Sequence, residues 1–174
     1  MLKLAEYNTA KKLGIKIGIT IQEFLQLFQY KTNHKNDLFA KHNIYLNGID
    51  HLIMMPNKVI CIQNRLNNHT ACKDTISNFV SAILICKKMF PNLEIICVFI
   101  SKYKISEAIK NTLLSYSKIC YFIEFLSFNE LFRLLKYIMH LHNNFMINDN
   151  DETIMLDNYD CEEIILYYSN KITL

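Results

Sequence analysis

Tryptophan is absent from this chain of 174 residues, which holds only three glycines and two prolines. No P-loop, dinucleotide fingerprint, nucleophile elbow or HExxH motif is present, which removes the commonest phosphate-cradling, hydride-transfer, acyl-transfer and zinc-protease readings. Long apolar runs are missing too. The longest, Phe79–Cys86, has about eight residues against the roughly 20 needed to span a bilayer, so no membrane role is expected. The opening residues Met1–Glu6 contain no apolar stretch of the kind a secretory signal needs. Six cysteines stand at positions 61, 72, 86, 97, 120 and 161, none as a CxxC pair, which argues against a zinc ribbon. Free thiols inside strand-like runs point to a reducing, intracellular compartment. No alternation of aromatic and basic residues suggests a platform for stacking single-stranded bases.

Hydrophobic residues make up 51% of the chain, enough for one domain with a real core. The abundant residues Asn, Ile, Lys, Tyr and Phe have A/T-rich codons, a bias that fits an A/T-rich bacterium or a large DNA virus. The net charge of +3 hides an asymmetry. Residues 1–147 carry 18 Lys and Arg against 9 Asp and Glu, whereas residues 148–174 carry seven acids and one base, Lys171. A body of +9 with a tail of −6 suits a polyanionic partner, with the tail competing for the basic surface or binding a protein partner. The expected organisation is therefore an α/β domain over residues 1–147 and an acidic C-terminal tail over 148–174. The tail's late apolar run, Ile164–Tyr168, would be an added edge strand.

Periodicity places the elements. Thr20-x-x-Glu23 reads as a capping box opening a helix over 20–31, with Phe24, Leu25, Leu27 and Phe28 on its apolar face. Residues 38–46 read as a first strand ending at the turn pair Asn47-Gly48, followed by strands at Ile49–Met55 and Lys58–Ile62 around Pro56-Asn57. A second helix carries Ile76, Phe79, Val80, Ile83 and Leu84 at close to 3.6 spacing. The run Leu93–Ile100 is a strand covered on both faces, residues 106–117 a third helix, and Ile119–Phe125 another buried strand. Ser127-x-x-Glu130 caps a long helix with Phe128, Leu131, Phe132, Leu135, Ile138 and Met139 on one face. An early meander followed by alternating strands and helices predicts a mixed β-sheet flanked by helices.

The most informative stretch runs from Gly48 to Arg65. Asp50 opens one strand of a hairpin, and the partner strand ends in Gln63-Asn64-Arg65. This order of elements and this D-x12-Q-x-R spacing resemble the PD-(D/E)xK, or restriction-endonuclease-like, nucleases, with their αβββαβ core. The resemblance spans about residues 15–140. It implies a DNA-binding protein and an Mg²⁺- or Mn²⁺-dependent endonuclease, with Asp50, Gln63 and the backbone carbonyl of Asn64 as metal ligands. Gln in the second position matches the Mrr-like and junction-resolvase branches. The third position departs from the family: Arg65 stands where Lys is usual. Arg stays protonated and cannot act as a base, although it can clamp phosphate. With Gln63 neutral, Asp50 would be the site's one formal negative charge, so weak metal affinity is expected, and a catalytically inactive DNA-binding or assembly module is the alternative.

Glu23 is a further catalytic candidate, since many relatives carry a Glu on the first helix; its place in a capping box is the local explanation. Lys11, Lys12, Lys16, Lys87, Lys88, Lys102 and Lys104 are the candidate phosphate contacts. Lys87 and Lys88 also suit the negative end of their helix for structural reasons. A homodimer is expected by analogy with many nucleases of this fold.

Overall fold

In the computed structural model, residues 12, 16–25, 48–65, 73–143 and 158–173 are described. They form two compact units, one within residues 33–124 and one from residues 1–32 with 125–174. The boundary expected at residue 147 does not coincide with this division. The strand expected at 38–46 lies outside the described residues.

The first unit is α/β. Strands β1 (His51–Met54), β2 (Lys58–Arg65), β3 (Glu94–Ser101) and β4 (Ile119–Glu124) make a mixed sheet in that spatial order. β1 pairs antiparallel with β2, with His51 opposite Ile62 and Met54 opposite Val59. The other two pairings are parallel, as crossover helices between the strands require. Two helices provide those crossovers; numbered along the chain after α1 (residues 16–25), they are α2 (Lys73–Met89) and α3 (Glu107–Tyr116).

One face of the sheet and the two crossover helices share a core of Val59, Cys61, Ile76, Phe79, Val80, Ile83, Cys86, Ile95, Cys97, Phe99, Ile105 and Leu113. The α2 stripe is 76–79–80–83–86. Leu84, expected on it, is 41% exposed, because one residue of helix turns it about 100° away from Ile83. Within β3 all six residues Ile95–Ile100 are buried, so both faces are covered, as its continuous apolar run predicts. β4 differs from the expectation. Of its six residues only Ile123 is buried, because β4 is the edge of the described sheet.

The second unit is helical among the described residues: α1, α4 (Phe128–Asn143) and α5 (Asn158–Thr173). Phe24, Phe132 and Tyr168, one from each helix, pack in tilted and edge-to-face arrangements with centroids 4.8–5.9 Å apart. The Ser127 cap forms, Ser127 Oγ accepting the Glu130 amide at 3.3 Å, while Glu130 reaches one residue past the cap, to the amide of Leu126 at 2.8 Å.

Two expectations are corrected in this unit. Thr20 is no cap. The helix is already formed at residue 16, and the Thr20 hydroxyl donates to Lys16 O at 2.9 Å, a bond typical of threonine inside a helix. The run Ile164–Tyr168 is helical, not an edge strand. Ile165, Ser169 and Ile172 are buried at spacings of four and three, which is the period of a helix with one covered face.

Candidate functional site at the hairpin end

The hairpin starts with a backbone constraint. Gly48 has φ +102°, and a Cβ there would lie 2.4 Å from the carbonyl carbon of Asn78 and 2.5 Å from its oxygen. Only glycine allows the chain to enter β1 so close against α2 in that conformation. Two residues later the Asp50 amide donates to Ile62 O at 2.9 Å, continuing the β1–β2 ladder and fixing the direction of its side chain.

Period two along a strand puts Gln63 and Arg65 on the same face as Val59 and Cys61, and Asp50 on the same face as Leu52 and Met54. The three residues therefore converge where the core ends. Asp50 Oδ2 accepts Gln63 Nε2 at 2.7 Å and the Asn64 amide at 2.6 Å. Gln63 Nε2 also donates to the Asn64 carbonyl at 3.1 Å. Gln63 is 7% exposed, so its amide is held in place by packing as well as by these bonds.

The Asp50 residue is open to solvent on one side, but burial of its carboxyl raises the pKa above its ordinary 3.8. The Asn64 amide and the Arg65 charge act in the opposite direction without overcoming that effect. On the other face, Asn64 Nδ2 meets His51 Nε2 at 2.8 Å. With the amide in this orientation Nδ2 donates and Nε2 accepts, which goes with a ring proton on Nδ1; the reverse tautomer would pair with the Asn64 oxygen turned toward the ring. Burial lowers the His51 pKa from 6.5 to about 4, which keeps the ring neutral near pH 7. Asn64 Oδ1 is buried without a hydrogen-bond partner among the described residues.

The oxygen donors at this strand end are of the kind Mg²⁺ prefers: the Asp50 carboxylate, the Asn64 carbonyl and the Gln63 amide oxygen. Their fit to a cation is conditional. The Gln63 NH₂ group bridges Asp50 Oδ2 and Asn64 O, the two oxygens a cation would share. Turning the amide over would bring three oxygens together, an arrangement that a positive charge would stabilise. Among the described residues no group of three or more His, Cys, Asp or Glu side chains is arranged to hold a metal ion.

The remaining sequence candidates separate. Glu23 lies in the helical unit and is ion-paired with Lys171. Lys171, the single base of the tail, thus meets an acid of the body, while the tail's seven acids lie outside the residues whose side chains are described. Lys102 and Lys104 follow the end of β3, and Ser101 is the register partner of Arg65, so both lysines belong to the site's end of the sheet. Lys87 and Lys88 do not. Between β2 and β3, α2 carries the chain back to the edge where Lys58 pairs with Glu94, and its last turn lies at the far end. Lys87 Nζ is engaged there by the Tyr116 carbonyl. Lys12 and Lys16 are exposed in the helical unit, and Lys11 lies outside the described residues.

Sequence reasoning assigned no role to Glu124, which ends β4 in register with Ser101 and Arg65. It accepts the Ile105 amide at 3.0 Å and pairs with Lys110 at 3.4 Å, so its carboxylate ties α3 to the sheet. Period-two alternation alone would not have found it, because its place depends on the parallel register.

No family model, curated protein or solved structure matches this chain. Among the described residues, no helix is long and apolar enough to cross a membrane.

Proposed function

We propose that this chain is a DNA-binding protein of restriction-endonuclease-like fold that hydrolyses phosphodiester bonds weakly in the presence of Mg²⁺ or Mn²⁺. The observation that carries this reading is the meeting of Asp50, Gln63 and the Asn64 backbone at one hairpin end, with Arg65 on the same strand face. Asp50, the Gln63 amide oxygen and the Asn64 carbonyl would hold the ion, which when bound supplies Lewis-acid polarisation of the phosphate. Arg65 is the fixed positive charge for a phosphate oxygen; being a permanent cation, it orients and neutralises rather than taking a proton. Lys102 and Lys104 extend the basic surface along the same sheet end and contact neighbouring phosphates without reading sequence. His51, neutral and bonded to Asn64, holds the strand end in place.

A specific observation favours a second reading, a cleavage-inactive binding module. The Gln63 NH₂ already hydrogen-bonds the oxygens that would otherwise call for a cation. One experiment separates the two. Cleavage of plasmid and branched DNA with Mg²⁺ or Mn²⁺ is compared for wild type, Asp50→Ala, Gln63→Glu and Arg65→Lys, with DNA affinity measured over a salt series. The nuclease reading expects slow wild-type cleavage, lost in Asp50→Ala and raised about tenfold or more in Gln63→Glu, where a second carboxylate strengthens the metal site. Salt-sensitive binding without cleavage in any variant selects the inactive module. Absence of salt-sensitive binding removes both readings, because phosphate contacts necessarily weaken with salt.

A further inference from the structure

β4 has β3 as its strand neighbour on one side and, among the described residues, no strand on the other. Its sequence is nevertheless that of an inner strand. Ile119-Cys120-Tyr121-Phe122-Ile123 holds no charge, proline or glycine, and its first four residues are only half-buried. Such an edge is a template for further pairing, and proteins that keep an edge single blunt it with a charge, a proline or a bulge. The β3–β4 register runs unbroken from Ile96 opposite Ile119 to Ser101 opposite Glu124, with Cys120 beside Cys97, so no bulge turns this edge away.

Charge is confined to the two ends. Lys118 immediately precedes the strand and Glu124 closes it, and both are exposed. They stand at equal distances along the chain from Tyr121. A second copy of the strand therefore meets each charge with its opposite. In a pair related by a two-fold axis, residue i of one copy faces residue j of the other, and j faces i. Side chains opposite one another must share a face of the sheet, so the pairing is centred on one residue. Centred on Tyr121, it sets Lys118 against Glu124 at both ends, Ile119 against Ile123, Cys120 against Phe122 and Tyr121 against its own copy. Centring on Cys120 sets Lys118 opposite Phe122, and centring on Phe122 sets Glu124 opposite Cys120. Either shift loses both charged pairs.

We propose that the β4 edge is a homodimer interface, two copies pairing antiparallel about a two-fold axis at Tyr121 and joining their sheets into one. Glu124 is held ready for this contact. Its Oε1 accepts the Ile105 amide at 3.0 Å and pairs with Lys110 at 3.4 Å, which fixes the carboxylate at the strand end. The side chain is still 36% exposed, open to the partner's Lys118. Backbone hydrogen bonds along the joined edges supply affinity, as in any strand added to a sheet. The opposite charges, the β-branched pairs and the aromatic pair set the register. The hairpin site is carried by β1 and β2, toward the other edge of the described sheet.

The test is sedimentation equilibrium of the full-length chain over about 1–100 µM, the range suited to a small interface. A concentration-dependent dimer is expected. Lys118→Glu turns both attractive end pairs into repulsive ones and should weaken the dimer about tenfold or more, with Lys118→Gln weakening it less. Lys118 is exposed, so both variants should keep the fold, which circular dichroism checks. Tyr121→Cys places a thiol opposite its own copy. Mild oxidation should then give an intermolecular disulfide that peptide mapping assigns to position 121 in both chains. The wild type, whose Cys120 faces Phe122, should give none at Cys120. A monomer at every concentration would overturn the proposal. So would a dimer that Lys118→Glu leaves unchanged, or a wild-type cross-link through Cys120, which places the axis one residue away. The Lys118 series decides the matter even where Tyr121→Cys fails to fold.

Discussion

The same face of β2 carries two kinds of chemistry a few residues apart. In the middle, Val59 and Cys61 are fully buried beneath α2 and beside β3. At the end, Gln63 and Arg65 continue the same alternation, and although Gln63 still has Phe99 beside it on β3, its amide is met by Asp50 and the strand-end backbone. The strand geometry is identical in both places, so the difference arises from cover. Where helix and sheet close over the strand, a side chain gains by being apolar or, like cysteine, nearly so. Where the cover runs out, polar groups are only partly hydrated and satisfy one another. A site of concentrated hydrogen bonds, with a raised carboxyl and a lowered imidazole pKa, is the result.

The comparison breaks most severely in the core that adjoins the site. Phe99, fully buried and the register partner of Gln63, packs against Phe79 with ring centroids 6.1 Å apart. Phe99→Ala should cost about 3–5 kcal/mol through lost burial and the cavity left behind. Urea denaturation should show a large drop in midpoint with little change in slope. At the end of the strand, the largest effect comes from the backbone. Gly48→Ala places a methyl group inside the α2 backbone at a positive φ, and should cost about 2–4 kcal/mol. It should also displace Asp50, visible as loss of the protected Asn64 amide in hydrogen exchange, whereas Phe99→Ala lowers protection throughout the sheet.

A smaller effect sharpens the contrast by pH. The folded-state pKa of His51 is about 4 against an ordinary 6.5. The unfolded chain binds this proton more readily, so stability contributed by the neutral ring is complete above pH 6.5 and lost as pH falls toward 4. His51→Gln should remove about 3 kcal/mol of the wild-type loss between pH 7.5 and 4. Asp50 works in the other direction. Its raised pKa makes the folded state the better proton binder, so its charge lowers stability as pH rises above 3.8. Midpoints measured for both single variants across this range resolve the two opposing contributions.

Local pattern was enough for much of the molecule. The hairpin at Pro56-Asn57, the buried run of β3, the α2 stripe and the Ser127 cap all depend on interactions within a few residues, which composition and spacing encode. The glycine before Asp50 was legible as a turn residue for the same reason. What adjacent positions could not reveal was which way a strong local signal would resolve when a longer element overrode it. Thr20 and Glu23 have the spacing of a cap, yet the helix runs through them. The run Ile164–Tyr168 has strand-like residues, yet its covered face has helical spacing.

The sequence by itself determined that Asp50 and Gln63 would share a hairpin end, since an antiparallel pair joined by a tight turn brings together residues at equal distances from that turn. Only the tertiary structure decided that the Gln63 amide nitrogen, not its oxygen, faces the carboxylate, and that Lys102 and Lys104 share the site's end of the sheet while Lys87 and Lys88 do not. It alone aligned Cys61, Cys97 and Cys120, which are 36 and 23 residues apart in the chain. Parallel register is set by how crossover helices pack, a long-range condition that no window of neighbouring residues contains.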